Sequence, residues 1–243
     1  MKRAWEVDFT RGIAIILMVF FNWSFALKYL NVYALEGGFV YWYVFPRFIA
    51  SMFLFIVGVS LILSYSKVKK ESKKSVILKY LKRGLKIFSL GLLITAVTWA
   101  FFPNDFIIFG ILHLIGISII LVIPLLKFKR LNLILGLITI SLGFFLEQFR
   151  FGFDWLLWLG FIPNNFYTFD YFPILPWFGV ILLGLFFGNL LYPNGKRSFK
   201  IKDISNFFIT KFLAFLGRNS LIIYLVHQPL LIIFLLILGF KIF

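Results

Sequence analysis

Seven stretches of this chain are long enough and apolar enough to cross a lipid bilayer. They cover residues 12–30, 45–66, 84–103, 106–126, 131–149, 173–192 and 219–240. A helix needs about 20 apolar residues to span a hydrocarbon core of about 30 Å. Nothing in that core can hydrogen-bond an open backbone, so runs of this length fold as helices. The expected fold is an all-α, polytopic bundle of about seven transmembrane helices forming one domain over residues 1–243. Composition agrees. The chain is 62% hydrophobic and 14% charged, against about 45–50% and about 25% for a soluble domain. A soluble enzyme is excluded. No internal repeat is visible, so an inverted-repeat transporter gains no support.

The formal net charge is +16, a value that by itself would suggest nucleic acid. The positions of the charges argue otherwise. Lys2, Arg3 and Arg11 precede or open the first run. Lys67, Lys69, Lys70, Lys73, Lys74, Lys79, Lys82, Arg83 and Lys86 fill the second connection. Lys127, Lys129 and Arg130 fill the fourth. Lys196, Arg197, Lys200, Lys202, Lys211 and Arg218 fill the sixth. These alternate connections hold 21 of the 25 basic residues, leaving Lys28, Arg47, Arg150 and Lys241. By the positive-inside bias the N-terminus is cytoplasmic and the C-terminus outside. The excess charge then also attracts anionic headgroups. Membrane lipids, not nucleic acid, are the expected partners, in a multi-pass protein of the plasma membrane.

The first run is not read as a cleaved signal peptide. Glu6 and Asp8 flank it, it exceeds the usual apolar core, and no A-x-A site follows. Residues 150–172 carry an apolar part too short to span. They are expected at the outer interface as a short helix and loop, with Trp155, Trp158, Tyr167 and Tyr171 as belt anchors or as a lid. The chain has no cysteine, which removes disulfides and thiol chemistry. Two histidines in no ligand spacing give no metal site.

Polar residues inside a bilayer are costly, and each is a site candidate. Asn22 lies 11 residues beyond Arg11 and His227 lies 9 beyond Arg218. At 1.5 Å per residue, these are about 16 and about 13 Å above the cytoplasmic ends. His113, counted inward from Asp105, falls in the same band near the midplane. Each could instead hydrogen-bond a neighbouring helix. No carboxylate occupies that band, which weakens an ion-coupled carrier.

Five strings occur in order along the chain: VDFTRGIAIILMVFFNW (7–23), FPRFIASMFLFIVGVSLILS (45–64), FGILHLIGIS (109–118), FDYFPILPWFGVILLG (169–184) and LGRNSLIIYLVHQPLL (216–231). Together they resemble the catalytic domain of heparan-α-glucosaminide N-acetyltransferase and its bacterial and archaeal relatives. The resemblance implies transfer of an acyl group, typically acetyl, from cytoplasmic acyl-CoA to a sugar hydroxyl or amine on the other side, with no metal. Asp8 and Arg11 match the family's D-x-x-R-G. Asn22 matches a polar position further along that helix. His113 matches G-[IV]-L-[HQ]. Asn219, Tyr224 and His227 match N-S-x-x-x-Y-x-x-H. One branch of the family carries a catalytic histidine in the first outer loop. The matching loop here, NVYALEGGFVYW (31–42), has none.

On that reading His113, nearer the outside, is the first choice of general base. His227 orients the thioester or shares the proton, and Asn22 donates to the oxyanion. Asp8, Arg11, Arg83, Lys86 and Arg218 are expected to hold the phosphates of CoA. Trp155, Trp158, Asn165, Tyr167, Asp170 and Trp177 are expected to meet a sugar-like acceptor. A homodimer is compatible with this reading. A transporter or flippase of a lipid or polar solute, and a non-catalytic membrane scaffold, are the alternatives.

Overall fold

The computed structural model describes residues 4–33, 36–69 and 71–240. Lys2, Arg3, Lys70 and Lys241 of the charge pattern lie outside the described residues. Eight α-helices follow in order: α1 (Trp5–Tyr29), α2 (Phe45–Val68), α3 (Lys73–Phe101), α4 (Ile111–Leu121), α5 (Lys129–Leu146), α6 (Ile174–Leu191), α7 (Phe208–Arg218) and α8 (Ser220–Ile237). Among the described residues six helical segments, all but α4 and α7, are long and apolar enough to cross a membrane. The chain is a polytopic helical membrane protein.

Two of the expected boundaries differ in an informative way. The fourth run yields only the 11-residue α4, extended by a 3-10 turn at Pro124–Lys127. Residues 102–110 are spent on an irregular segment that pairs with residues 168–172 instead. Phe172 N–H donates to the Phe109 carbonyl at 2.9 Å, and Phe169 N–H to that of Asp105 at 3.1 Å. The third helix begins eleven residues earlier than its apolar run, at Lys73. Ser72 caps it by accepting from Ser75 N–H at 3.2 Å, and Glu71 pairs with Lys79 at 3.6 Å. At 29 residues it is about 43 Å long, more than a hydrocarbon core of about 30 Å. Its basic first turns therefore stand outside the apolar layer.

Packing divides the chain into two units. One holds residues 1–56 and 200–243, the other residues 57–199, and α2 contributes to both.

In the first unit α1 packs closely on α7 and also meets α8. Gly12 and Gly217 permit the approach. A β-carbon at Gly12 would overlap the backbone of Leu213, and one at Gly217 would overlap the Asp8 carbonyl. Helix α7 is an element the apolar runs do not announce. It spans 11 residues and carries Lys211 and Arg218, so it fails any length test for a span. Its pattern is amphipathic: Thr210, Ala214 and Gly217 are buried, while Phe208, Ile209, Phe212 and Phe215 are exposed.

In the second unit the closest helix pairs are α5 with α6 and α3 with α4. Both rest on small residues, as expected where lipid offers no hydrophobic contrast. Gly136 and Gly179 face one another's carbonyls, and Gly116 sits against the backbone of Phe88. Residues 150–172 form an ordered cap rather than a span. A 3-10 turn at Leu157–Leu159 is followed by chain that returns to α6, and Phe151, Phe153 and Phe161 cluster ring against ring.

Candidate functional site

The first unit brings one expected pair into contact. Asn22 sits on α1 and His227 on α8, and the Asn22 Nδ2 lies 3.1 Å from His227 Nε2. The other ring nitrogen, Nδ1, is 2.6 Å from the Tyr224 carbonyl. A carbonyl only accepts, so Nδ1 carries the proton of the neutral ring. Nε2 then presents a lone pair, and the amide N–H of Asn22 donates to it. The same amide nitrogen also donates to Met18 Sδ at 2.9 Å. Trp23 Nε1–H donates to the His227 carbonyl at 3.1 Å, and Gln228 Nε2–H to that of Asn22 at 3.4 Å. His227 is buried. The helix spacing explains the arrangement: three residues separate Tyr224 from His227, so a carbonyl of the preceding turn faces the imidazole.

At the N-terminal end of α1, Arg11 Nη1 lies 3.7 Å from Asp8 Oδ1, one turn apart on the helix. Asp8 is buried. The contact of Gly217 with the Asp8 carbonyl brings Arg218 to this same end of α1. The D-x-x-R-G string thus serves two ends: its acid and base pair on one helical turn, and its glycine admits α7. Eleven residues of helix, or about 16 Å, separate Arg11 from Asn22.

In the second unit His113 is the third residue of α4 and is buried. Its Nδ1 accepts the Gly110 N–H at 3.2 Å, and its Nε2 lies 3.4 Å from Thr95 Oγ1, which itself donates to the Ile107 carbonyl at 2.6 Å. Phe109 stacks on the ring, Phe88 meets it edge-on, and a β-carbon at Gly91 would lie 3.0 Å from it. Both nitrogens have partners, and the ring fastens α4 to its preceding turn and to α3. Asp170 is part of the same fastening, since its Oδ2 accepts the Ile111 N–H at 3.2 Å.

The remaining expected residues are placed as follows. Arg83 and Lys86 are exposed on α3. Trp155, Trp158 and Tyr167 are exposed on the cap with Asn165, whereas Trp177 is buried at 8% exposure against Phe172. Tyr171 holds the cap together by donating to the Leu157 carbonyl at 2.8 Å. Burial, with the Glu147 carboxylate adding to it, pushes its phenol well above the ordinary value. Among the described residues no group of three or more His, Asp or Glu could hold a metal ion. The residues that sequence reasoning missed are Met18, Trp23 and Gln228, which border Asn22 and His227 in sequence or on the next turn, and Thr95.

A buried histidine with one nitrogen fixed by a carbonyl and the other presented to a helix partner, inside a multi-pass helical membrane protein, defines a membrane protein with a polar centre within its helices. The family comparison makes this more specific. The model for heparan-alpha-glucosaminide N-acetyltransferase, catalytic, matches residues 3–229. The chain belongs to that family of membrane acetyltransferases. No curated protein matches it, and no solved structure does.

Proposed function

We propose that this protein transfers an acetyl group from acetyl-CoA, bound at the N-terminal end of α1 beside Arg11 and Arg218, to a hydroxyl or amine of a sugar-like acceptor on the opposite side of the membrane. The observation that carries this reading is the His227 ring, protonated at Nδ1 by its hold on Tyr224 and offering Nε2 as a base.

The reaction follows from those atoms. The acceptor hydroxyl displaces the Asn22 amide from Nε2 and gives its proton to that nitrogen. Its oxygen attacks the thioester carbonyl, and the freed Asn22 amide donates to the oxygen on which charge develops. The carbon–sulfur bond breaks, the acetyl group stays on the acceptor, and the departing thiolate takes up the proton that His227 received. Arg11, oriented by Asp8, and Arg218 bind the phosphates of CoA at the mouth. The distance of about 16 Å from Arg11 to Asn22 is one that a pantetheine arm bridges. Arg83 and Lys86 add positive potential near the start of α3. His113 and Asp170 position α4, and Trp155, Trp158, Tyr167 and Asn165 offer the outer cap to a sugar. The face that carries the lysines is cytoplasmic, and the membrane is the plasma membrane.

The test is calorimetry of acetyl-CoA on the detergent-purified chain, followed by release of free CoA on adding acceptor sugars. The parent is expected to bind, Arg11→Ala to lose binding, and His227→Ala to bind without releasing CoA. Absence of acetyl-CoA binding in the parent overturns the reading.

A further inference from the structure

The N-terminal half of α3 presents three faces. Val76, Tyr80 and Gly84 are buried, and a β-carbon at Gly84 would meet the Ile120 side chain of α4 at 2.7 Å. Lys79, Lys82, Arg83 and Lys86 are exposed and follow the i, i+3, i+4, i+7 spacing of a single stripe. Leu78, Leu85 and Leu92 recur every seven residues and are exposed as well, at 46%, 50% and 51%. At about 100° of rotation per residue, the cations stand between the buried face and the leucine line.

Leucines exposed on a membrane helix are covered by acyl chains, because leaving them in water is unfavourable. The leucine line starts at Leu78, beside the cations, and runs unbroken into the apolar part of the helix. The hydrocarbon layer therefore reaches the level of the stripe. Depth agrees. Trp99, exposed near the other end of α3, is of the type that settles at an interface. Lys79 precedes it by 20 residues, about 30 Å of helix and the thickness of a hydrocarbon core. Lys82 and Lys86 lie about 26 and about 20 Å from Trp99. Their side chains lean toward the helix N-terminus, and their stems carry the ammonium groups outward to the phosphate level. Lys127 stands at a similar level. Helices α3 and α4 run antiparallel, with Gly91 on His113, Gly116 on Phe88 and Gly84 on Ile120, and that register continued sets Lys127 beside Ile77. Little opposes this charge. Between Glu36 and Asp105 the only acid is Glu71, which pairs with Lys79 at 3.6 Å. Among the described residues Lys82 and Lys86 make no ion pair.

We propose that this flank of α3 is a binding site for an anionic phospholipid of the leaflet at the N-terminal end of the helix. The headgroup phosphate lies on the Lys79–Lys82–Arg83–Lys86 stripe, and an acyl chain lies along Leu78, Leu85 and Leu92. Neither part suffices alone: a soluble anion has no use for the leucines, and a zwitterionic lipid gains little from four cations. The site belongs to the second unit and does not depend on the acetyl-transfer reading.

The experiment is native mass spectrometry of the full chain, delipidated in detergent and titrated with phosphatidylglycerol or phosphatidylcholine. The parent is expected to prefer phosphatidylglycerol. The double variant Lys79→Gln/Lys82→Gln is expected to bind it about 25-fold more weakly, at about 5-fold for each charge removed, with its phosphatidylcholine binding unchanged. Lys79→Arg/Lys82→Arg is expected to keep the parental preference. Lys200→Gln/Lys202→Gln removes the same charge from the sixth connection and is expected to keep it too. All these side chains are exposed, and equal thermal midpoints for the variants and the parent confirm that each is folded. A parent without preference for phosphatidylglycerol, or a Lys79→Gln/Lys82→Gln protein that keeps the preference, overturns the proposal. So does an equal loss in Lys200→Gln/Lys202→Gln, which would make net charge alone the cause. Competition by glycerol 1-phosphate at the same concentration as the lipid would also overturn it, by assigning the stripe to a soluble anion.

Discussion

The side chains of Asn22 and His227 meet at 3.1 Å across 205 positions of sequence. Because Tyr224 fixes the proton on the far ring nitrogen, this contact makes Asn22 a donor and His227 a base.

The two residues should therefore fail differently. His227→Gln is expected to lower the single-turnover rate of CoA release by at least about 100-fold, the scale of a lost general base. Asn22→Ala is expected to cost about 100-fold in the same step, as for a lost oxyanion donor. Both are expected to retain acetyl-CoA affinity by calorimetry. A parallel loss of affinity would mean that the pair shapes the donor site instead.

The α1–α7 contact predicts a stability effect. Gly12→Ala and Gly217→Ala each place a methyl on backbone that cannot withdraw. Each is expected to destabilise by about 1–3 kcal/mol or more, seen as a lower thermal midpoint in detergent. The double variant should be less than additive, because one interface is being forced apart. Gly152→Ala, where a β-carbon meets nothing within 4 Å, is the control and should stay within about 0.5 kcal/mol.

Helix α4 provides a test of His113. Replacing it with Leu leaves the Gly110 N–H without its ring acceptor, at a cost of about 1–3 kcal/mol. Asp170→Ala removes the partner of the Ile111 N–H and should cost about 1 kcal/mol. Hydrogen exchange should rise at residues 110–114 in both. A His113→Gln protein of parental stability that releases no CoA would return this ring to the chemistry.

The cap should loosen in alkali. Tyr171 holds its proton more tightly in the folded state than its ordinary value of 10.0 would allow. Its contribution is complete below that value and falls as pH rises beyond it, because only the unfolded state then gives up the proton. The thermal midpoint of the parent should drop between pH 10 and 12 relative to that of Tyr171→Phe. Equal slopes for the two proteins would assign the alkaline loss to other groups.

The membrane fold was legible because hydrocarbon allows so few backbone solutions, and the spans at 45–66, 173–192 and 219–240 match α2, α6 and α8 within a few residues. The fourth run misled because hydropathy does not register an irregular backbone: Phe106–Phe109 are as apolar as a helix yet lie in a segment that pairs with residues 168–172. Helix α7 was hidden by its length and its two cations. Within the site, depth arithmetic placed Asn22 and His227 at one level, and the structure brings them together. The same arithmetic ranked His113 equally, since depth carries no information about which nitrogen a neighbouring N–H or hydroxyl will occupy. Asp170, expected to meet a sugar, accepts the Ile111 N–H, a contact that sequence does not show because a carboxylate in an aromatic loop reads alike whatever it faces.

The glycine-mediated seam between α1 and α7 also has a consequence in time. The helix that leaves the ribosome early finds its partners only after some 200 further residues have been made. At translation rates of about 5–20 residues per second, the 205 positions between Asn22 and His227 correspond to roughly 10–40 s. Through that interval α1 holds the carboxylate of Asp8, the amide of Asn22 and the bare face of Gly12 against lipid or a chaperone. Any insertion factor serving this protein must guard its first helix until its last ones arrive.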